Sequence, residues 1–168
     1  TGSCNAKCGM CIQEITYKLP DVGFKPFAQG VEKHLKGFYE LGGRKLIITG
    51  GEPTLFTDRV ISTLNTANKF GKWDLIAMYT NGSRLSNEED GKSVSMKLKD
   101  AGLHCVDFSV HHYDIVKNNM IFGRKLLNPV DIAKHLREIW LPFRFCATLQ
   151  KGGLENIGDI FLYLKFAR

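Results

Sequence analysis

Three observations predict an α/β fold built on a parallel sheet. Four short apolar runs alternate with amphipathic helical periods along the 168 residues. Each run is apolar throughout, without the polar alternation of a half-solvated strand, as expected for strands buried on both faces. Each run is also followed by a polar cluster with chemical content, whereas the connections that precede the runs are plain and rich in glycine. Helix and strand in strict alternation favour right-handed crossovers and a parallel sheet. A doubly wound sheet and a barrel both satisfy this pattern.

The elements follow in order. Phe27, Val31, Leu35 and Phe38 form the stripe of a first helix. Lys45 then leads into a strand over Leu46-Ile47-Ile48-Thr49. Val60, Ile61, Leu64 and Ala67 mark a second helix, and a second strand runs from Asp74 to Tyr79. Val94, Leu98 and Ala101 suggest a short third helix before a strand from Cys105 to Val110. The next helix is the best marked: Asn128 stands as cap and Pro129 at the first helical position, ahead of Ile132, Ala133, Leu136 and Ile139. A strand over Phe143 to Leu149 and a helix striped by Ile157, Ile160, Phe161 and Leu164 complete the chain. Gly42, Gly71 and Gly102 follow the first three helices, where a left-handed cap suits glycine.

In parallel α/β folds, chemistry gathers at the carboxyl ends of the strands. Those ends carry Gly50-Gly51-Glu52-Pro53, Thr80-Asn81-Gly82, His111-His112-Tyr113-Asp114 and Gln150-Lys151-Gly152-Gly153. Four parallel strands aim these clusters at one face.

Composition narrows the class further. With 43% hydrophobic residues the chain can bury a substantial core as one domain. Its net charge is +6, and residues 115–151 hold seven Lys or Arg against Asp131 and Glu138. Such an excess suits an acidic protein or nucleic acid as partner, or the solvated faces of helices. No apolar run reaches the ~20 residues of a membrane span, so no membrane association is expected. No secretory signal precedes the cysteines, and their uneven number and clustered spacing point to a reduced, cytoplasmic setting.

The cysteines carry the most information. Cys4, Cys8 and Cys11 are spaced C-x3-C-x2-C, a knot of thiols suited to soft-metal ligation rather than disulfides. Zinc requires a fourth protein ligand for a closed tetrahedron, for which His111 and His112 are candidates that no spacing favours. The alternative is an iron–sulfur cubane on three cysteines, which leaves one iron open. Cys105 and Cys146 fall inside strands, where a cysteine is usually a small hydrophobe.

Cys4-Asn5-Ala6-Lys7-Cys8-Gly9-Met10-Cys11, with Thr49-Gly50-Gly51-Glu52-Pro53-Thr54-Leu55 a helix and a strand later, resembles the radical S-adenosylmethionine (radical SAM) superfamily. Thr80-Asn81-Gly82 at the end of the next strand agrees with that order. Met10 departs from the aromatic residue usual in the family but keeps apolar bulk. The resemblance spans nearly the whole chain and implies a partial (β/α)6 TIM-like barrel with parallel strands. Residues 1–168 then form a radical SAM core domain. It is expected to be incomplete, with four strands where the family core has six, the first and last being absent.

The resemblance also implies a [4Fe–4S] cluster on Cys4, Cys8 and Cys11, with S-adenosyl-L-methionine on its open iron. Reductive cleavage then yields methionine and a 5′-deoxyadenosyl radical that abstracts hydrogen from a substrate. Gly50, Gly51, Glu52 and Pro53 are expected at the cofactor, with Glu52 facing the methionine ammonium. Ser109 resembles family serines that contact the methionine carboxylate. Thr80 and Asn81 are candidates to line the cofactor. His111 shares strand parity with Ser109 and so is the better candidate of the two histidines for ribose or substrate. No catalytic acid or base is assigned. Arg124, Arg144 and Lys151 are candidate anion binders that spacing alone does not rank. A flavodoxin or ferredoxin is implied as reductant, and the substrate is a peptide or protein, a glycyl-radical enzyme, or a nucleotide or RNA. The competing reading is a zinc-binding or degenerate, non-catalytic module on the same scaffold.

Overall fold

The computed structural model describes residues 3–11 and 23–168. Helix α1 (Phe24–Glu40) leads into β1 (Lys45–Ile48), followed by a single 3-10 turn (Pro53–Phe56) that runs into α2 (Thr57–Lys69). Strand β2 (Leu75–Thr80) precedes a two-residue hairpin, β3 (Glu88–Glu89) and β4 (Lys92–Ser93), which abuts α3 (Val94–Asp100). Strand β5 (Cys105–Ser109), helices α4 (Ile115–Phe122) and α5 (Pro129–Glu138), strand β6 (Phe143–Cys146) and α6 (Ile157–Phe166) complete the order. Strands β1, β2, β5 and β6 pair in that order, every pair parallel.

Register decides which kind of parallel sheet this is. In-register partners share a face, so Ile48, Met78, Val106 and Phe143 form one row across the sheet. That row packs into a core with Leu35 of α1, Leu64 of α2, Leu98 of α3, Leu136 of α5 and Tyr163 of α6. The opposite face carries the rows Ile47-Ala77-Cys105 and Tyr79-Asp107-Arg144, then Ser109-Cys146. None of these belongs to the helix-packed core, and Ile47, Tyr79 and Arg144 are 43%, 41% and 57% exposed. A doubly wound sheet needs helices on both faces. Here they cover one, so the sheet is an arc of barrel wall with its concave face free. Closure into a full barrel is not observed among the described residues.

Two expectations are corrected. Burial on both faces holds for most of β2 and β5 but not for β1, which alternates between exposed and half-buried positions, or for β6, which has no buried residue. The fourth run is a strand only as far as Cys146, and the chain turns away before Leu149. Sequence reading also passed over α4. Its apolar residues Ile115, Val116, Met120, Ile121 and Phe122 follow no single stripe, because the helix caps the mouth of the lumen instead of packing on the sheet. Its ends are nonetheless signposted. The Asp114 carboxylate accepts from the backbone N–H groups of Val116 and Lys117, and Gly123 closes the helix in the left-handed region. The cap at Asn128 and the proline at the start of α5 are as read from the sequence.

Candidate active site

The lumen opens at the carboxyl ends of the strands into a cavity of about 390 Å3. Cys4, Cys8 and Cys11 line one side of it; Gly50, Gly51 and Glu52 line the β1 side. Thr80 and Asn81 reach it from β2, Ser109 and His111 from β5. Pro53 does not line this cavity; it begins the 3-10 turn and faces a neighbouring hollow between α1 and α2. His112 turns away, with its Nδ1 accepting from the Asp114 backbone N–H. Sequence reading missed Tyr79, Phe122 and Thr148, which also line the cavity. Strand parity with Asp107 and Ser109 was the available signal for Tyr79.

Glu52 is the hub of the β1–β2 side. It is 2% exposed, and its carboxylate is satisfied almost wholly by hydroxyls and amides. Oε1 accepts from Thr54 Oγ1 at 2.6 Å, Thr80 Oγ1 at 2.6 Å and the Thr54 backbone N–H at 3.1 Å. Among the described residues Oε2 accepts from the Asn81 backbone N–H alone, at 2.8 Å, which leaves it capacity for one more donor. A buried carboxylate without such partners is strongly disfavoured, so the network fixes the relative positions of the ends of β1 and β2. Gly50, at a φ of 149° that favours glycine, brings the chain into this turn.

The cysteine loop is held from three directions. The Ser3 carbonyl accepts from the Glu52 backbone N–H at 2.9 Å. Asn5 accepts from Asn81 Nδ2 and donates to Ser83 Oγ, both at 2.8 Å. On the far side Lys7 N–H donates to the Phe122 carbonyl at 2.9 Å, and Arg124 donates to the Asn5 carbonyl. Thus Arg124, a candidate anion binder by sequence, spends a guanidinium N–H on holding the loop. Among the described residues none of the three cysteines is joined in a disulfide. Burial is the main cause raising the Cys4 thiol above its ordinary range, with the Glu52 carboxylate adding to it.

The β5 side supplies donors. His111 Nδ1 accepts from the Thr148 backbone N–H at 3.1 Å, and its ring lies 4.8 Å from that of Phe122. Burial pushes its pKa down to about 4, so near neutral pH the ring is uncharged. With Nδ1 accepting, the proton sits on Nε2, which makes His111 a fixed neutral donor rather than a proton shuttle. Among the described residues the Ser109 hydroxyl makes no hydrogen bond, although it lines the cavity. Deeper in the lumen Asp107 is fully buried, and its two oxygens accept from Arg144 Nε at 2.7 Å and Nη2 at 2.9 Å. That pairing raises the guanidinium's pKa further and commits one edge of Arg144. Lys151 lies outside the cavity, beside Met10 and Met120.

The donor set fits an iron–sulfur cluster with S-adenosylmethionine. Three soft thiol ligands border one cavity from a single short loop. Among the described residues no three His, Cys, Asp or Glu side chains converge as they would on one metal ion. A cubane, by contrast, takes each cysteine on a different iron, so its thiolates need not meet at a point. The spare lone pair on Glu52 Oε2 suits an ammonium, and the Ser109 and His111 donors suit a carboxylate or hydroxyl.

Comparison with known proteins agrees. The GTP 3′,8-cyclase of Aeromonas hydrophila is 32% identical over 169 residues, covering 96% of this chain and 47% of the relative. The GTP 3′,8-cyclase of Psychromonas ingrahamii is 28% identical over 172 residues, 100% of this chain and 47% of its own. The chain therefore spans about half the length of these curated relatives. Among solved structures, Streptococcus suis SuiB bound to precursor peptide SuiA matches with a TM-score of 0.73 at 22% identity, over 99% of this chain and 34% of that one. SuiB bound to S-adenosylmethionine matches at 0.70 and 20%, over 98% and 34%. These structural matches establish the partial-barrel fold. Residues 1–158 match the family description "Radical SAM superfamily". The chain belongs to the radical SAM superfamily, whose enzymes use a [4Fe–4S] cluster and S-adenosylmethionine.

Proposed function

We propose that residues 1–168 form the cofactor-binding core of a radical SAM enzyme that acts on a purine nucleotide. The observation that carries the reading is the convergence of Cys4, Cys8, Cys11, Gly51, Glu52 and Ser109 on one cavity at the carboxyl ends of the strands. When bound, the cluster and S-adenosylmethionine supply an electron and a 5′-deoxyadenosyl radical for hydrogen abstraction.

The chain's own residues bind and orient. Cys4, Cys8 and Cys11 ligate the cluster, and the Asn5–Asn81 pair and the Lys7–Phe122 bond hold their loop against the barrel mouth. Glu52 Oε2 accepts the methionine ammonium, its other lone pairs being filled. Ser109 donates to the methionine carboxylate. His111 donates from Nε2 to the cofactor's ribose or to substrate. Phe122 and Met10 exclude water beside the cluster loop. An external one-electron donor of the flavodoxin or ferredoxin kind is required.

A nucleotide is preferred over a peptide because the relatives at about 30% identity are GTP 3′,8-cyclases. The peptide-bound SuiB structure, at 22%, speaks to fold alone.

The test is anaerobic reconstitution, reduction with dithionite, and chromatography of the products formed from S-adenosylmethionine with and without GTP. Formation of 5′-deoxyadenosine, accelerated by GTP, is the expected result. Glu52→Gln turns a donor toward an existing donor and should lower 5′-deoxyadenosine formation roughly 10- to 100-fold while iron content is retained. Stoichiometric zinc with no cleavage would overturn the enzyme reading; cleavage indifferent to GTP would overturn the nucleotide.

A further inference from the structure

Below the cofactor cavity the lumen has a floor that the cofactor chemistry leaves unused. Strand register sets its rows: Ile47-Ala77-Cys105 lowest, then Tyr79-Asp107-Arg144, with Ser109-Cys146 next to the cavity. Asp107 is fully buried, and its two oxygens take the Nε edge of the Arg144 guanidinium at 2.7 and 2.9 Å. That clamp fixes the plane of the group. It leaves the end-on edge, an Nη1–H beside an Nη2–H, without an acceptor among the described residues. The Arg144 side chain is still 57% exposed on the concave face. Tyr79 and Ile47, 41% and 43% exposed, offer an aromatic and an aliphatic surface beside it. The Asp107–Arg144 pair is itself electroneutral. The next charged side chain on this face of the sheet, Lys45, lies two rows lower, at the amino end of β1.

We infer that Arg144, clamped by Asp107, reads the O6/N7 edge of a guanine base and seats that base on the lumen floor. The inference rests on the purine-nucleotide reading above and deepens it. Two parallel N–H donors match two acceptors side by side, which guanine presents at O6 and N7. Adenine presents N7 beside an N6 amino group, so one donor would face another. A phosphate also offers acceptors, but the Asp107 carboxylate beside the guanidinium repels an anion. Among the described residues this part of the floor holds no further cation to neutralise a triphosphate. A neutral base meets no such repulsion, and its ring packs on Tyr79 and Ile47. Asp107 stands two residues before Ser109 on β5, roughly 7 Å along the strand, so a base held at this row sits directly beneath the cofactor cavity.

The experiment is calorimetric titration of the anaerobically reconstituted, unreduced protein in the presence of S-adenosylmethionine, with GTP, ITP, 7-deaza-GTP and ATP as probes. Without a reductant there is no turnover, so the readout is affinity. GTP and ITP share O6 and N7 and should bind alike. 7-Deaza-GTP, which lacks N7, should bind about fivefold more weakly, and ATP at least about tenfold more weakly. Arg144→Lys keeps the charge but loses the paired donors. It should weaken GTP about tenfold and leave ATP nearly unchanged, so that the preference collapses while iron content and circular dichroism stay those of the wild type. Equal affinity of the wild type for GTP and ATP would overturn the inference, whatever the variant does. So would ITP binding as weakly as ATP, which would put the 2-amino edge in control. An Arg144→Lys protein that loses GTP and ATP equally would also overturn it, by making the residue a phosphate contact. A wild-type protein that binds none of the four nucleotides would sink the nucleotide reading itself, which keeps the two failures distinct.

Discussion

At the scale of single residues, burial rather than residue type sets what the site can do. A histidine is the side chain best able to carry a proton near neutral pH, yet the Nδ1 of His111 is occupied by the Thr148 N–H and burial pushes its pKa from 6.5 to about 4. Between those values the unfolded chain binds the proton that the folded chain refuses. Stability from this group is therefore fully present above about pH 6.5, falls as the pH drops toward 4, and changes no further below that. The loss amounts to at most about 3 kcal/mol. Urea unfolding of the metal-free protein across this range should show the decline, and His111→Gln should flatten it. A shallow residue remains from His112, which burial also holds below its ordinary pKa. An unchanged slope in the variant would mean that His111 is not held neutral. Glu52 makes the same point from the acid side. Its place in Gly-Gly-Glu-Pro was legible, but its bonds to Thr54, Thr80 and Asn81 were not, because they join residues up to 29 positions apart.

At the scale of elements, the cysteine loop has no regular structure of its own and borrows its shape from its neighbours. The junction with α4 is tight. Gly123 has φ of 63°, and a Cβ there would stand 2.7 Å from the Lys7 carbonyl oxygen. Gly123→Ala should therefore lift the loop as well as strain the helix end, costing about 1–2 kcal/mol. The expected sign is a lowered melting temperature together with reduced iron uptake on reconstitution. Normal iron uptake would show that α4 does not position the loop. This dependence was invisible in the sequence, where α4 itself went unread. Helices α1, α2, α3, α5 and α6 announce themselves by a stripe that meets the sheet, whereas α4 meets a loop and needs none. Likewise β6 ends at Cys146, and of the exposed residues that follow Thr148 lines the cavity instead of extending the wall.

At the scale of the whole molecule, the parallel strands and the polar clusters at their carboxyl ends were legible because both follow from local pattern. Apolar runs set the strands, and crossovers made them parallel. What the pattern could not decide was the face on which the helices lie, since runs such as Leu75–Tyr79 are apolar on both sides. Register settles it, placing Met78 and Val106 against helices and Tyr79 and Asp107 in the lumen. One-sided cover leaves a concave face, with buried Asp107 paired to a partly exposed Arg144 at its base and the cysteines at its mouth. No helix among the described residues is long and apolar enough to cross a membrane. The geometry thus gathers Glu52, Ser109 and His111 on a single hollow beside the thiols.

The central claim is that this hollow holds a three-cysteine cluster whose fourth iron receives S-adenosylmethionine. The direct measurement is EPR of the anaerobically reconstituted, dithionite-reduced protein, recorded with and without S-adenosylmethionine. A cubane signal that changes on addition of the cofactor, and that is lost in Cys8→Ser, is the predicted result. A signal indifferent to the cofactor, or one that survives the loss of Cys8, would contradict the account.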